Sequence, residues 1–312
     1  MDNNSTDTEE LRPAYLGIPT FRRRPVTRDV SQADVVVMGI PFDSGATSVR
    51  NGARFGPRKI REASLLMWGY NRHFDVSPLE HLNVIDFGDI DVDPTNINTT
   101  LGLIATEVDR AISAGATVIA LGGDHSITLP ILRSCAARKG PLGLVHIDAH
   151  LDTEHGSIEH GTPFRHAAQE GLLNTNAWIQ LGIRGPGTHP QEINEAKELG
   201  AEVLEIDECF EIGIPAVIRR IHERIGNRQV YVSLDIDAVD PAFAPGTGTP
   251  EVGGFSSHQM LQLVRGLRGL DFAGFDLVEV NPPYDSSDIT SILAANIIFE
   301  YLSLLAVKQI SK

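Results

Sequence analysis

A chain of 312 residues, 42% of them hydrophobic, can bury a large core as one domain or two. Its 26 basic and 41 acidic residues leave a formal charge of −15, which repels polyanions and excludes a general nucleic-acid binder. Only Cys135 and Cys209 are present and neither belongs to a C-x-x-C pair, so a disulfide framework is excluded and a reducing compartment fits.

Residues 1–30 read as an N-terminal arm, polar and rich in proline and arginine, packed on the surface or on a neighbouring subunit. Arg22, Arg23 and Arg24, its basic cluster, read as a solvated patch. The first ten residues carry Asp2, Asp7, Glu9 and Glu10 and have neither the basic nor the apolar segment of a secretory leader. No apolar run reads as long enough to cross a bilayer, so the expectation is a cytoplasmic protein with no membrane partner.

Regular patterning begins at Ala33. A strand over 35–40 leads into a long loop, 41–57, of the length that compact domains reserve for function or leave exposed. A helix over 59–68, a strand over 82–87 and a helix over 99–114 follow. A strongly apolar strand at 117–121 then ends in Gly122-Gly123-Asp124-His125-Ser126. A helix over 126–137 precedes a buried strand from Leu142, which ends in His146-Ile147-Asp148-Ala149-His150-Leu151-Asp152. Beyond it, strands at 178–182, 202–206, 230–237 and 274–280 alternate with helices at 192–199, 215–225 and 256–267, and a helix over 289–305 closes the chain. The alternation predicts an α/β fold, a three-layer α/β/α with a mostly parallel central sheet. No repeat or linker divides the chain, so 31–312 reads as a single domain.

In such a sheet ligands gather beyond the carboxyl ends of the strands, and the chemically suggestive residues fall there. His125 follows the third strand, Asp148, His150 and Asp152 the fourth, and Asp235 and Asp237 a later one, while Glu279 lies near the end of the last. If strand geometry continues, the i, i+2 spacing turns Asp148 and His150 to one side, and likewise Asp235 and Asp237, with Ile236 pointing into packing. One strand-end aspartate is ordinarily a turn or a helix cap. The whole set resists that reading, because buried charge is costly unless it is paired or metal-bound.

Two histidines and four aspartates form an oxygen-rich donor set that suits Mn²⁺, and Ni²⁺, Co²⁺, Zn²⁺ or Fe²⁺ less clearly. Four carboxylates offset two divalent ions. Two ions about 3.5–4 Å apart can share a water, lower its pKa and deliver hydroxide at neutral pH, so the predicted reaction is hydrolysis.

On these blocks the chain resembles the ureohydrolase family, the arginase and agmatinase group. The resemblance extends through Ser233-Leu234-Asp235-Ile236-Asp237-Ala238-Val239-Asp240-Pro241, Ala244-Pro245-Gly246-Thr247-Gly248-Thr249-Pro250 and Glu279-Val280-Asn281-Pro282, and covers the chain from about residue 35 to its end. It implies that one ion is held by His125, Asp148, Asp152 and Asp235 and the other by His150, Asp148, Asp235 and Asp237, with Asp148 and Asp235 as bridges. It further implies that His160 transfers protons and that Glu279 holds a guanidinium. Two divalent ions, manganese before nickel, would be the cofactors of a ureohydrolase-like catalytic domain in a homo-oligomer, a trimer or hexamer. The chemistry agrees with these roles: a carboxylate orients a planar cation bidentately, a hydrolytic nucleophile attacks its central carbon, and the departing amine needs a proton. Urea and an amine result.

The loop of residues 153–159 is shorter than the matching arginase loop and lacks its Ser-Gly-Asn run, which counts against arginine. His160-Gly161-Thr162-Pro163-Phe164-Arg165 and Asn51-Gly52-Ala53-Arg54-Phe55-Gly56-Pro57 are similar to the agmatinase branch. Agmatine, a small cationic guanidino compound, is the first candidate, with Glu154 and Glu159 available to attract a second cationic end. The alternatives are another guanidine (guanidinobutyrate, guanidinopropionate, guanidine itself or a substituted guanidine), amide hydrolysis, or a subunit active only with a partner chain in a hetero-oligomer. Among lesser candidates, His146 shares parity with Asp148 but reads more readily as a hydrogen-bonded core histidine than as a ligand. Asp124 and Thr249 can orient ligands from behind, although Asp124 can equally cap the next helix. Gly182 to Gly187 lacks the G-K-[ST] of a phosphate loop.

Overall fold

The computed structural model describes residues 12–45 and 49–311. The beginning of the arm and three residues of the 41–57 loop therefore lie outside the described residues.

Eight strands, β1 (Val35–Ile40), β2 (Val84–Asp89), β3 (Thr117–Gly122), β4 (Leu142–Ile147), β5 (Leu173–Ile183), β6 (Glu202–Glu205), β7 (Gln229–Asp235) and β8 (Asp271–Val278), form one sheet in the order β2-β1-β3-β8-β7-β4-β5-β6. All seven pairings are parallel. Among the described residues ten α-helices accompany them: α1 (Gly56–Ser64), α2 (Pro78–His81), α3 (Ile97–Ser113), α4 (Thr128–Lys139), α5 (Pro163–Gln169), α6 (Glu192–Glu198), α7 (Ile206–Ile212), α8 (Ile214–Ile225), α9 (Ser257–Gly266) and α10 (Ile289–Ile310).

The strands read as near-continuous apolar runs because both faces of the sheet are covered. Val35 and Val37 of β1, with Ile119 and Leu121 of β3, enter one core together with α8, α9 and α10 residues such as Val217, Leu263 and Ile298. Val36, Met38, Val118 and Ala120, one position out of phase, enter the other with Ile104 and Val108 of α3 and Leu132 of α4. That period-2 division is the three-layer architecture.

The strand order also positions the site. The chain leaves β3 and starts β4 three places along, and β8 and β7 later fill the gap. The carboxyl ends of β3, β8, β7 and β4 are thus adjacent, at the point where the order reverses.

Several expectations need correction. The helix after the long loop begins at Gly56, three residues earlier than its pattern indicates, while α5 and α7 were not anticipated at all. Both are short, and α7 is separated from α8 only by Gly213, whose φ of +78° ends the helix. β4 stops at Ile147 and β7 at Asp235, short of the extension expected to present the ligand-type residues.

By length and composition α10 is apolar enough to cross a membrane, contrary to the reading that no run is; 78% of its most apolar window is buried in this fold, where it packs as the core helix of one layer.

Arg22 is not solvated either: it is 6% exposed, donates its backbone N–H to Ser64 Oγ (2.9 Å) and donates from Nη1 to the Ser64 carbonyl (3.2 Å) and the Met67 carbonyl. Phe21 beside it is fully buried, so 20–26 of the arm is stitched to its own domain.

Close approach of β1 and β3 at their carboxyl ends requires Gly123. A Cβ there would overlap the Phe42 carbonyl, and the Gly123 carbonyl accepts the Glu279 N–H at 2.8 Å. Gly123→Ala is expected to lower stability by about 1–3 kcal/mol, as overpacking against rigid backbone does. An unchanged denaturation midpoint would show that this backbone gives way.

Candidate metal centre

Each ligand-type segment leaves its strand through the same local device. Asp148 Oδ1 accepts the His150 N–H at 2.7 Å, and Asp235 Oδ1 accepts the Asp237 N–H at 2.8 Å. These side-chain-to-backbone turns, and not continued strand, aim both pairs at one place. Ala149 N–H donates to Asp237 Oδ1 (3.2 Å), which ties the two turns together. His125 opens a 3₁₀ turn capped by Asp124, whose Oδ1 accepts the Ser126 N–H at 3.0 Å. Asp152 and Glu279 hold left-handed backbone, φ +49° and +62°. Such strain in non-glycine residues persists where the surrounding structure over-determines it, typically at functional sites.

All eight predicted site residues come together. His125 Nδ1 lies 2.8 Å from Asp152 Oδ2, 3.2 Å from Asp148 Oδ2 and 3.4 Å from Asp235 Oδ2. His150 Nδ1 lies 3.1 Å from Asp237 Oδ2 and 3.5 Å from Asp148 Oδ1. Asp148 therefore faces one group with each of its oxygens. Glu279 Oε1 accepts the His125 N–H at 3.0 Å and sits 3.3 Å from His160 Nδ1.

The fit to cations is tested by His125. Its Nε2 is engaged 2.8 Å from Ser233 Oγ, while buried Nδ1 makes no well-directed hydrogen bond although three carboxylates crowd it. A lone pair aimed between three carboxylate oxygens is a cation's donor set, and the Asp148, His150 and Asp237 group offers a second.

The electrostatics record the same crowding. Burial, with Asp237 and Asp148 alongside, pushes Asp235 well above the usual carboxylate range, and burial likewise raises Asp237. Asp148 goes well below it, burial being outweighed by the electrostatic effect of His146 close by and by bonds from His125, His146 and His150. Burial opposes the charged form of His125, yet Asp152, Asp148 and Asp235 lift it well above its ordinary value.

Behind this layer lie residues that the sequence reading missed. Ser233 Oγ donates to Asp276 Oδ1 at 2.6 Å, and Asp276 Oδ2 accepts from Tyr231 OH (2.7 Å) and Thr128 Oγ1 (2.8 Å), so a buried carboxylate fixes His125 through a hydroxyl. His146 is hydrogen-bonded, as expected, to Asp148 Oδ2 (2.7 Å) and to Gln180 (2.9 Å). Thr249 Oγ1 donates to Asp237 Oδ2 at 3.1 Å, the role foreseen for it. The available signal for Asp276, Ser233 and Gln180 was a polar residue interrupting an otherwise apolar buried strand.

A cavity of about 190 Å³ opens over the cluster, floored by His150, Asp152, Asp235, His160 and Glu279. Glu154, Thr188, His189, Glu192 and Glu195 stand farther out along its wall. Glu195 accepts from Arg165 (2.8 Å) and approaches His155 Nε2 (2.7 Å), and Glu192 accepts from Thr188 N–H (2.7 Å) and Oγ1 (2.8 Å). Arg184 spends all five N–H donors on the carbonyls of Val252, Gly182, Ala238, Asp237 and Glu251.

A parallel sheet with paired carboxylate–imidazole clusters at its carboxyl edge defines the class, a metal-dependent α/β enzyme. The arginase family model matches residues 33–303, and the chain belongs to the arginase family. It is 41% identical to the guanidinobutyrase of Pseudomonas aeruginosa over 94% of each chain. It is 41% identical to the mitochondrial agmatinase of Gallus gallus over 97% of this chain and 90% of that one. The solved proclavaminate amidino hydrolase from Streptomyces clavuligerus superposes with a TM-score of 0.91 at 42% identity, covering 95% of this chain and 99% of that one.

Proposed function

We propose that this protein hydrolyses a guanidino compound to urea and an amine at a two-ion centre, with agmatine the first candidate. The observation that carries the reading is the convergence of His125, Asp148, His150, Asp152, Asp235 and Asp237 from the carboxyl ends of β3, β4 and β7 beneath a cavity that also holds Glu279 and His160. His125, Asp148, Asp152 and Asp235 would hold one ion, and His150, Asp148, Asp235 and Asp237 would hold the other. Manganese is the proposed metal because oxygen donors predominate. We also place the protein in the cytoplasm as a homo-oligomer, readings tested by cell fractionation and analytical ultracentrifugation.

When bound, the ion pair supplies a water acidified enough to attack at neutral pH. Glu279, anchored by the His125 N–H, presents its carboxylate to the cavity and orients the guanidinium through charge-assisted hydrogen bonds. Burial disfavours a charged His160, but the hydrogen bond and charge of Glu279 overcome it and raise the imidazole to about 9. The imidazolium present at neutral pH is an acid ready to protonate the departing amine. His160→Asn is expected to lower kcat by about 10²–10⁴-fold with ion content unchanged; a kcat within about threefold of the parent removes His160 from the proton transfer.

The relatives named above act on an acidic and a basic guanidino compound at equal identity, so the wall must decide the tail. Arg184 is committed to backbone carbonyls, and among the described wall residues Glu154 is exposed while Glu192 and Glu195 add carboxylates. That wall favours a cationic tail over a carboxylate. Agmatine is expected to give higher kcat/KM than 4-guanidinobutyrate, and Glu154→Gln to raise its KM about three- to fivefold, as loss of one exposed charge does. A preference for the guanidino acid in a urea-release assay would reverse the assignment of the tail and leave the hydrolysis intact.

A further inference from the structure

His146 is a fully buried histidine two residues before Asp148, in a cluster where it is a possible fourth ligand beside His125, Asp148 and Asp152. The surrounding hydrogen bonds assign it another task. Gln180, on neighbouring β5, places its Nε2 2.7 Å from the Leu151 carbonyl and 2.9 Å from His146 Nδ1. A carbonyl only accepts, so the amide group facing Leu151 must be the NH₂, and its second hydrogen then points at His146 Nδ1. Nδ1 is therefore bare, Nε2 carries the ring proton, and that N–H donates to Asp148 Oδ2 at 2.7 Å. The orientation leaves Gln180 Oε1 buried without a partner, a cost that is explained if both amide hydrogens are needed where they are. Phe164, with its ring centroid 4.1 Å from that of His146, and His125 at 5.2 Å hold the imidazole in place.

We infer that His146 and Gln180 form a hydrogen-bonded relay that positions Asp148 as the bridge between the two ions, His146 donating from Nε2 to Oδ2 and not serving as a ligand. The inference rests on the two-ion reading above. A donated N–H fixes one lone pair of the Asp148 carboxylate and leaves the others available to a cation. The same Gln180 amide holds the Leu151 carbonyl, next to the strained Asp152 backbone, so one side chain steadies ligands on both sides of the first ion. His146 and Gln180 are positioning residues, since neither touches the substrate cavity.

The experiment has two arms on the full chain. In metal-free protein, side-chain ¹⁵N shifts should show His146 protonated at Nε2 and bare at Nδ1; a proton on Nδ1 overturns the relay whatever the variants do. In the second arm, Mn²⁺ binding is measured by equilibrium dialysis for the parent, His146→Phe and Gln180→Leu. The parent should bind two ions per chain. His146→Phe should still bind two, about 10–100-fold more weakly, and Gln180→Leu should weaken them in the same direction, with kcat at saturating Mn²⁺ within about threefold of the parent. One ion per chain in His146→Phe would make His146 a ligand and overturn the inference, as would affinities within twofold of the parent in both variants. A parent chain that binds no Mn²⁺ sinks the two-ion reading itself, while the tautomer arm still reports on the relay. Should His146→Phe fail to fold, Gln180→Leu and the tautomer arm decide.

Discussion

Asp148→Asn is expected to abolish urea release, lowering kcat/KM by at least about 10³-fold, or about 4 kcal/mol of transition-state stabilisation. Asp148 is the residue on which both donor groups depend, with Oδ2 facing His125 and Oδ1 facing His150. An amide is nearly the same size and keeps one oxygen, but it removes the charge that offsets the ions and presents a donor where two acceptors are needed.

The chain itself should fold, because the substitution relieves repulsion among buried carboxylates: Asp148 contributes to the rise of both Asp235 and Asp237. Adding Mn²⁺ should raise the Tm of the parent, since a ligand that binds only the folded state stabilises it by mass action, and should leave Asp148→Asn nearly unmoved. A variant that gains as much from Mn²⁺ as the parent would show that the ions bind elsewhere.

The second large effect lies at the β2 edge of the sheet. Arg61 of α1 is 6% exposed and donates to Asp86 of β2 through Nε (2.8 Å) and Nη2 (3.0 Å), to Asp89 (2.6 Å) and to the Gly88 carbonyl (2.9 Å). Asp86 is 1% exposed and also accepts the Phe21 N–H at 2.7 Å, so one ion pair joins the arm, α1 and the edge of the sheet. Burial opposes the charge on Arg61, yet Asp86 and Asp89 raise its pKa further, which marks a pair formed despite its desolvation.

Arg61→Met removes one partner and strands a buried carboxylate, at a cost of about 3–5 kcal/mol. Tm is expected to fall by on the order of 10 °C, with kcat at low temperature retained because no site residue contacts the pair. Adding Asp86→Asn to that variant should recover part of the loss. A fall of less than about 2 °C would mean that water reaches Asp86.

Legibility in the sequence followed the range of the interaction. The apolar runs of β1, β3, β4 and β7 and the periodic face of α3 are local patterns and were readable to within a residue or two at most ends. The short helices α5 and α7 were not, because seven residues carry too little periodicity to stand out. The extent of β4 and β7 was misjudged for a related reason: Asp148 and Asp235 bond the N–H two residues on, and that side-chain competition with the ladder leaves no mark on the alternation. Arg22 looked solvated because its partners, Ser64 and Met67, lie more than forty residues away.

The eight site residues were found from their types and from family blocks in the right order. Those acting through them were harder: nothing local links Gln180 to His146, or Asp276 to Ser233, until the register sets β4 beside β5 and β7 beside β8.

The residues alone determined the donor chemistry, the alternating α/β pattern and the hydrolytic class, since these follow from side-chain type and from local spacing. Tertiary structure alone decided that β8 and β7 lie between β3 and β4, which is what brings His125, Asp148, Asp235 and Glu279 together. It also decided that Arg184 has no donor to spare and that His146 faces Asp148 from behind. Each of these depends on which strands become neighbours, and strand pairing between segments a hundred residues apart is settled by packing the whole sheet between its helices, beyond the reach of any local pattern.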